Sequence, residues 1–212
     1  HRRKTRFING DSSYILNNKI VFDNIISKYV KTPKIYSIIL KGEIFNLENT
    51  NSYRNINDLY NLLKINKRIV LKPFIDAGGG KGVYVVQDKN GLLFINGQEI
   101  EIDKFDSLVK SMDHYIACEY IEQSSYGHDL FPNSLNTIRI LTMKDPQNYE
   151  PFIAFAVQRI GTKKSGFVDN WTSGGLSSNI DLESGELSKA ASFHNNSLTW
   201  HSNHPDTGNK IE

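Results

Sequence analysis

Residues 69–86 read Ile69-Val70-Leu71-Lys72-Pro73-Phe74-Ile75-Asp76-Ala77-Gly78-Gly79-Gly80-Lys81-Gly82-Val83-Tyr84-Val85-Val86. β-Branched and aromatic residues at both ends favour strands, so this stretch predicts a β-hairpin with a glycine-rich tip. Glycines tolerate positive φ and let backbone N–H groups approach a ligand closely. Backbone donors beside lysines at such a turn suit a polyphosphate, and an ordinary glycine-rich hairpin is the alternative.

Two familiar phosphate loops do not fit this stretch. A Walker loop places Ser or Thr after its lysine and continues into a helix, whereas Lys81 is followed by Gly82 and an apolar, β-forming run. The dinucleotide fingerprint also needs a helix after its glycines. The pattern therefore favours a flexible hairpin tip that folds over a nucleotide.

The composition indicates a soluble globular chain. It has 212 residues, of which 39% are hydrophobic and 23% charged, enough for one medium domain or two small ones. The net charge of +2 does not single out a nucleic-acid partner, and no apolar run approaches the roughly 20 residues of a membrane span. We expect a cytoplasmic protein without a nucleic-acid partner or membrane span; its oligomeric state stays unknown. The basic cluster near His1 is interpreted as a solvated segment.

Alternating helix and strand patterns predict an α+β chain. Lys19 begins an amphipathic helix that Thr32-Pro33 ends, because the residue before proline leaves the helical region. Further helices are expected at 55–67 and 103–112, a further hairpin at 91–97, and strands at 35–40, 115–121, 151–160 and the later part of 128–144. The only cysteine, Cys118, lies in a strand pattern and is interpreted as a packing thiol.

The second half of the sequence contains two arginines in strand patterns. Arg139 stands between Ile138 and Ile140 in a strand pattern, and an arginine in such a strand is expected to have a fixed anionic partner. That partner is either a structural carboxylate or a ligand phosphate or carboxylate, which arginine binds in a bidentate manner, and the ligand is favoured. Arg159 emerges near the end of the next strand.

Metal and covalent chemistry have little support in the sequence. The histidines at 128, 194, 201 and 204 lack the closeness and the cysteine partners of a structural zinc site. No Gly-x-Ser-x-Gly elbow is present, and Cys118 has no evident base nearby in the sequence.

The order of the motifs resembles one family. A helix led by Lys19 is followed by the Val-Leu-Lys-Pro strand with its glycine hairpin and by Glu119-Tyr120-Ile121-Glu122. Then come Asn136-Thr137-Ile138-Arg139, Asp169-Asn170-Trp171 with Gly174-Gly175, and Asp181 in a turn. Over residues 14–208 this series resembles the ATP-grasp superfamily. It is most similar to the sugar-transfer-associated group of bacterial polysaccharide clusters.

The resemblance implies an α+β ATP-grasp fold in which two subdomains grip ATP. We expect an N-terminal helix and strand segment at 1–65, a small lid with the glycine hairpin at 66–118, and a large subdomain at 119–212. The implied activity is an ATP- and magnesium-dependent ligase that activates a carboxylate as an acyl phosphate. An amine or another nucleophile then attacks the acyl phosphate. The carboxylate substrate would be small or sugar-linked, and the reaction would belong to polysaccharide or cell-envelope biosynthesis.

The resemblance also implies roles for individual residues. Lys72 would contact either the ATP phosphates or N7 of the adenine, and Lys19 would be the earlier lysine on the phosphate side. The mobile flap over the phosphates would be Gly78, Gly79, Gly80, Lys81 and Gly82. The adenine edge would meet Glu119, Tyr120 and Ile121, the ribose would meet Glu122 or His128, and Asn136 would also lie on the ATP side. Arg139, Arg159 and Lys81 would act on the transferring phosphoryl group or the acceptor carboxylate, by positioning and charge neutralisation.

One part of the family pattern is missing. The family holds magnesium with acidic residues and a Glu-x-Asn motif on late strands, and the sequence stops at Glu212 before such a motif. Asn179 and Asp181 are the nearest substitutes, but they have a turn-like setting, so the metal ligands are unknown. We expect a C-terminally incomplete fold that is inactive as it stands. The alternatives are a nucleotide-binding pseudoenzyme or regulatory module, and a polysaccharide- or nucleic-acid-binding scaffold.

Overall fold

A computed structural model describes residues 10–47, 53–75, 80–194 and 196–212. The chain divides into two compact units, His1–Tyr120 and Ile121–Glu212. One antiparallel sheet of eight strands lies in the first unit, and one of five strands lies in the second. Helices accompany both sheets, so the predicted α+β class is confirmed.

The first unit contains four helices and eight strands within its described residues. Its helices are α1 Ser13–Asn17, α2 Lys19–Ile26, α3 Ile56–Asn66 and α4 Ile102–Lys110. Its strands are β1 Ile35–Leu40, β2 Glu43–Asn46, β3 Tyr53–Arg54, β4 Arg68–Pro73, β5 Tyr84–Lys89, β6 Leu92–Ile95, β7 Gln98–Ile100 and β8 Tyr115–Glu119. They are arranged in the order β3-β2-β1-β8-β4-β5-β6-β7.

The core of the first unit follows from residue spacing. Leu59 and Leu63, four residues apart on α3, are buried together with Phe105 on α4. Ile69 and Leu71 alternate along β4 and enter the same cluster. Each such side chain contributes about 1.5–3 kcal/mol when fully buried. Val70 and Lys72 alternate with these two residues along β4 and are directed to the opposite face of the sheet.

The single sheet joins two segments that the sequence separates. Strands β1, β2 and β3 belong to the predicted segment 1–65, and β4 to β8 belong chiefly to the predicted lid, 66–118. In the structure β1 pairs with β8, and Ile38 lies opposite Ile116. Within the first unit both segments therefore share one sheet.

The second unit is built around five strands and one helix within its described residues. Its elements are α5 Ser125–Leu130, β9 Ile138–Lys144, β10 Pro151–Ile160, β11 Leu176–Ile180, β12 Ala190–His194 and β13 Ser197–His201. The strand order is β13-β12-β11-β10-β9. Buried apolar side chains on one side of this sheet form its core, namely Leu130, Phe131, Ile160, Leu176, Ala190 and Ile211.

The strand register assigns the arginines of the second unit to one sheet face. Arg139 lies opposite Val157 on β10, and Arg159 follows two residues later and lies opposite Ser177. Residues that face each other, or that lie two apart on a strand, share a face. Ile160 and Leu176 pair with each other and pack in the core, so Arg139 and Arg159 lie on the other face.

Within the described ranges, no helix combines the length and the apolar character needed to cross a membrane.

Candidate functional site

A cavity of about 180 Å³ in the first unit brings two of the predicted lysines together. Its walls include Lys19, Phe22, Pro33, Lys72, Ile116 and Cys118. Lys72 lies opposite Ile116 in the β4–β8 pair, and Cys118 lies two residues further along the same face of β8. The cavity thus combines two ammonium groups with apolar walls, which suits a ligand with an anionic end and an apolar or aromatic part.

The N-terminus of helix α2 fixes Lys19 beside this cavity. Asn18 caps the helix, because its Oδ1 accepts from the N–H groups of Ile20 at 3.0 Å and Val21 at 3.2 Å. The Nζ of Lys19 donates to the carbonyl of Pro73 at 2.7 Å, and its backbone N–H donates to the carbonyl of Phe74 at 2.9 Å. An ammonium group has three donors, so two remain after the bond to Pro73.

The two lysines influence each other electrostatically. Burial lowers the pKa of the Lys19 ammonium, and the like charge of Lys72 lowers this pKa further. Both effects penalise the charged form, and a bound anion would relieve them. Burial raises the pKa of Cys118, although Lys72 opposes that shift, so the protonated thiol is favoured. The buried setting agrees with the packing role that the sequence suggested.

The end of strand β8 carries the residues predicted to meet the adenine. Oε2 of Glu119 accepts from the backbone N–H of Lys34 at 3.0 Å, and the N–H of Glu119 donates to the carbonyl of Lys34 at 2.8 Å. The carboxylate and the N–H of Glu119 therefore both hold the segment before β1, which disfavours the Glu119 side chain as the group that reads a base. Arg68 lies over the ring of Tyr120, with 5.2 Å between guanidinium carbon and ring centroid.

The structure describes the glycine-rich tip of the hairpin from Gly80 onward. Gly80 and Gly82 have φ of +73° and +71°, the region that glycine tolerates best, and Lys81 between them is exposed. Gly78 and Gly79 lie outside the described residues. A Cβ at Gly82 would lie 2.4 Å from the hydroxyl of Tyr115, so only glycine permits this close approach.

We expect Gly82→Ala to lower the free energy of unfolding by about 2–3 kcal/mol, since positive φ alone costs about 1–2 kcal/mol for a residue with a Cβ. The added methyl group would also meet the hydroxyl of Tyr115, whose ring stacks on Tyr84 at 6.3 Å. Urea denaturation measures the change. Gly91→Ala is the matched control, because Gly91 has φ of +89° and nothing within 4 Å of the added Cβ. Equal losses in the two variants would contradict the role given to Tyr115.

Asn136 is the centre of a hydrogen-bond cluster in the second unit. Its Nδ2 donates to the carbonyls of Gly127 at 2.6 Å and Phe131 at 2.8 Å, and to Oε1 of Gln123 at 3.0 Å. Its Oδ1 accepts from the N–H of Gly161 at 2.8 Å. These contacts join helix α5 to the ends of β9 and β10. The amide is fully used by protein groups, which favours a structural role for Asn136 over direct contact with ATP.

We expect Asn136→Ala to lower the free energy of unfolding by about 2–4 kcal/mol, because it leaves the buried N–H of Gly161 without its partner and removes four side-chain hydrogen bonds. The carbonyls of Gly127 and Phe131 each lose one donor and keep another, from the N–H of Phe131 and from Nε2 of Gln123. Thermal or urea unfolding followed by circular dichroism measures the loss. Asn133, exposed on the preceding turn, supplies the control variant Asn133→Ala. A loss no greater than that of the control would rule out the structural role.

Arg159 is held by a closed ring of contacts. Its backbone N–H donates to the carbonyl of Thr137 at 2.7 Å, and its Nη2 donates to the carbonyl of Asp169 at 3.1 Å. The carboxylate of Asp169 accepts in turn from the N–H of Thr137 at 3.0 Å and from its hydroxyl. The negative charge of Asp169 is thus directed at Thr137, and Arg159 receives only the carbonyl.

The Arg159 guanidinium retains unused binding capacity. The side chain is 8% exposed, and its Nε is buried without a hydrogen-bond partner among the described residues. Burial lowers the pKa of Arg159, and the nearby charge of Arg139 lowers it too, whereas Asp169 raises it. A buried guanidinium with an unpaired donor is costly, and a ligand oxyanion would satisfy it.

The structure corrects the interpretation of Arg139. The sequence predicted a fixed anionic partner for Arg139 because of its two apolar neighbours, but Arg139 is exposed, and so are all seven residues of β9, so burial does not impose such a partner. Its isoleucine neighbours are also exposed, so the apolar setting did not signal burial. Arg159, which lies on the same sheet face, is the buried arginine of the two.

The remaining predicted residues lie in the second unit. Ile121 is its first residue and is half-buried. Glu122 is exposed, and His128 is exposed near the end of α5. The structure therefore brings Lys19 and Lys72 together in one unit and Arg139 and Arg159 together in the other.

The suggested magnesium substitutes do not fit a metal site. Oδ1 of Asp181 accepts from the N–H groups of Glu183 at 3.0 Å and Ser184 at 2.8 Å and holds the turn, while Asn179 is exposed on β11. These hydrogen bonds lower the pKa of Asp181, as expected for a turn residue. Across the ranges that the structure describes, no three His, Cys, Asp or Glu side chains are grouped as metal ligands.

Fold and side chains together define an α+β protein in which each unit offers a pair of cations suited to phosphate or carboxylate groups. A family model described as sugar-transfer associated ATP-grasp matches residues 2–212, and the chain belongs to this family. The resemblance read from the sequence motifs is confirmed.

The other comparisons add little. No curated protein matches the chain. A crystal structure of D-alanine–D-alanine ligase from Bacillus anthracis is 14% identical and aligns over 88% of this chain with a TM-score of 0.32. The chain spans 59% of that ligase, and a likeness of this degree supports no statement about the site.

Thr137 and Asp169 belong to the motifs of the sequence, but the motif pattern predicts no role for either residue. Both residues contact Arg159, and they also bond to each other although 32 residues separate them in the chain. A local sequence pattern could not reveal contacts over that separation. The recurrence of polar residues within the ordered motifs was the available signal. Gln123, which accepts from Asn136 and donates to Phe131, had no signal of this kind.

Proposed function

We propose that the protein is an ATP-dependent ligase that activates a carboxylate as an acyl phosphate. Family membership over residues 2–212 is the observation that carries this proposal, and it supports an ATP-using, ligase-type protein in general. The specific reaction and a role in polysaccharide biosynthesis, which the family's description suggests, are part of the proposal.

The proposed reaction has two steps. A carboxylate oxygen attacks the γ-phosphorus of ATP, a bond to that phosphorus forms, and ADP leaves. An amine or another nucleophile then attacks the acyl carbon, and inorganic phosphate leaves. Both steps build negative charge on phosphoryl and carbonyl oxygens, which cations and backbone donors stabilise. In the second step an attacking amine also loses a proton, which passes to the departing phosphate or to solvent.

The residues of each unit support different parts of this chemistry. Lys19 and Lys72 would bind the ATP phosphates, with the adenine between the apolar walls of their cavity and the main chain at Glu119. Lys81 and the glycines around it would cover the phosphates. Arg159, held by the carbonyl of Asp169 at 3.1 Å, would meet the acceptor carboxylate or the transferring phosphoryl group, and Arg139 would add charge on the same face.

Magnesium would supply charge neutralisation on the ATP phosphates when bound, in keeping with the family. The described residues offer no ligand set that fits it. We therefore assign it no residues, and no step of the proposed reaction is derived through it.

The proposal is tested by trapping the acyl phosphate. The full-length protein is incubated with ATP, magnesium, hydroxylamine and a panel of small and sugar-linked carboxylates, and both ADP and hydroxamate are measured. We expect carboxylate-dependent ADP release with an equal amount of hydroxamate. ATP binding with neither product would favour a nucleotide-binding module, and the absence of ATP binding would end the proposal.

A further inference from the structure

A further pocket lies on the five-stranded sheet, away from the arginines. Its volume is about 240 Å³, and we name it the Lys164 pocket. Its walls are mostly apolar, with Leu176, Phe193 and Pro205 among them, and they also carry the polar side chains of Lys164, Ser192, His194, His201 and Asp206. His201 lies opposite Ala190, which packs in the core of the second unit. The next residue, Ala191, lies opposite Ser177 on the face of Arg159. His201 is therefore on the sheet face opposite Arg139 and Arg159.

The glycine pair of the Asp-Asn-Trp motif shapes this pocket. Gly174 has φ of +104°, and a Cβ there would lie 2.8 Å from both Cγ and Cδ of Lys164. The stem of Lys164 therefore rests directly on the Gly174 backbone. The carbonyl of Gly174 also accepts from the hydroxyl of Thr162 at 3.0 Å, which fixes the turn. A supported stem loses less side-chain entropy when the amine binds a ligand.

Lys164 and two histidines place hydrogen-bonding nitrogen atoms in the pocket. Nζ of Lys164 lies 2.7 Å from Nδ1 of His194. An ammonium group can only donate, so Nδ1 accepts and the proton of the neutral imidazole is on Nε2. The ammonium keeps two further N–H groups. Nε2 of His201 lies 2.9 Å from Oγ of Ser192, which adds a second hydrogen-bonding pair to the wall.

The pocket has few side-chain groups that can accept a hydrogen bond. Of the described residues in its walls, Asp206 alone carries a carboxylate. Oδ2 of Asp206 accepts from the backbone N–H of Lys163 at 2.8 Å, which commits part of that carboxylate to the chain. The pocket is therefore richer in free donors than in free acceptors, which suits a ligand made of acceptor oxygens.

We propose that the Lys164 pocket binds a phosphate-type oxyanion, such as the phosphate group of a small phosphorylated metabolite. Lysine binds phosphate as a point charge, and the neighbouring imidazole and hydroxyl groups add hydrogen bonds. The pocket lies on the opposite sheet face from Arg139 and Arg159, so it is a separate site from the proposed ligase chemistry. The proposal does not depend on that chemistry.

The test follows the histidine side chains of the full-length protein by nuclear magnetic resonance. Inorganic phosphate is titrated at neutral pH and constant ionic strength, with sodium chloride replacing phosphate in the reference series. We expect the ring resonances of His194 and His201 to shift together and saturate, with a dissociation constant on the order of 1 mM. His114, exposed in the first unit beside Asp113 at 3.2 Å, serves as the internal reference and is expected to stay in place.

Neighbouring lysines supply matched variants. Lys164→Met removes the ammonium and is expected to weaken phosphate binding at least tenfold. Lys163→Met changes the adjacent exposed lysine and is expected to bind phosphate like the wild type. The backbone N–H of residue 163, which donates to Asp206, is unaltered by this substitution. Backbone spectra of both variants check that they are folded.

Three results would overturn the proposal. Equal shifts at His114 and at the pocket histidines would show a general salt effect. Equal affinity in Lys164→Met and Lys163→Met would show that the pocket is not the binding site. Acetate binding as tightly as phosphate would indicate a site for carboxylates rather than phosphate groups.

Discussion

Lys72→Met is expected to weaken ATP binding by about 10- to 100-fold, because a hydrogen bond to a charged group contributes about 1.5–3 kcal/mol. Lys72 shares a cavity with Lys19, and both lysines flank the buried thiol of Cys118. Methionine keeps an unbranched apolar stem of similar length, so the packing of the cavity walls is largely retained. The loss should therefore appear in the dissociation constant for ATP, measured by calorimetry, more than in stability.

The variant also makes an electrostatic prediction within the same cavity. Because the charge of Lys72 lowers the pKa of Lys19, removal of Lys72 should raise the pKa of Lys19 towards its ordinary value. Nuclear magnetic resonance of the lysine side chains measures this change without ATP. Lys89→Met is the matched control, since Lys89 is exposed on β5, and its Nζ lies 4.5 Å over the ring of Phe94. ATP affinity within twofold of the control would contradict the phosphate role of Lys72.

Much of the strand framework could be predicted because its signal is local. The runs at 35–40 and 151–160 are made of apolar and β-branched residues, and the structure gives β1 and β10 these same bounds. Helix α2 begins at Lys19 as predicted but ends at Ile26, well before Thr32-Pro33. Proline limits where a helix can extend, but it does not fix the last residue.

Other elements carried no readable pattern. Helix α5 has six residues and includes Gly127, so its length offers less than two turns of periodicity. The amide of Asn136 stabilises it by donating to Gly127, 9 residues away, and also accepts from Gly161, 25 residues away. Strands β12 and β13 contain serines and histidines and pair with each other from Ala190 to His201. Such pairing is a tertiary preference that composition does not reveal.

The candidate site shows the same limit for individual side chains. The sequence could identify Arg139 and Arg159 as unusual, but it could not show that Arg139 is exposed on β9 whereas Arg159 is buried on β10. An apolar run predicts a strand without stating which of its faces is covered. The support of Arg159 by Asp169 depends on a bond between residues 10 apart through a loop, which only the folded chain defines.

Arg159→Lys is expected to reduce kcat by about 100- to 1000-fold, the cost of removing one pre-organised donor at a reacting oxyanion. Lysine keeps the charge but has a single point of donation, so it cannot replace a planar fork that meets the carbonyl of Asp169 and a ligand at once. The dissociation constant for ATP should stay near the wild-type value, because the proposed contact is to the acceptor or the transferring group. Hydroxamate formation with the best carboxylate of the panel gives kcat and KM.

The outcome separates a catalytic role from a structural one. The backbone bond from Arg159 to Thr137, at 2.7 Å, is unchanged by the substitution, so the strand pairing of β9 and β10 should persist and thermal unfolding should change little. Lys144→Met, at the exposed end of β9, controls for a general loss of positive charge on that strand. If Arg159→Lys keeps kcat within threefold of this control, the buried guanidinium takes no part in the reaction. If kcat falls together with the unfolding temperature, Arg159 supports the sheet rather than the chemistry. A fall in kcat alone, with ATP affinity preserved, is the result that only an oxyanion contact explains.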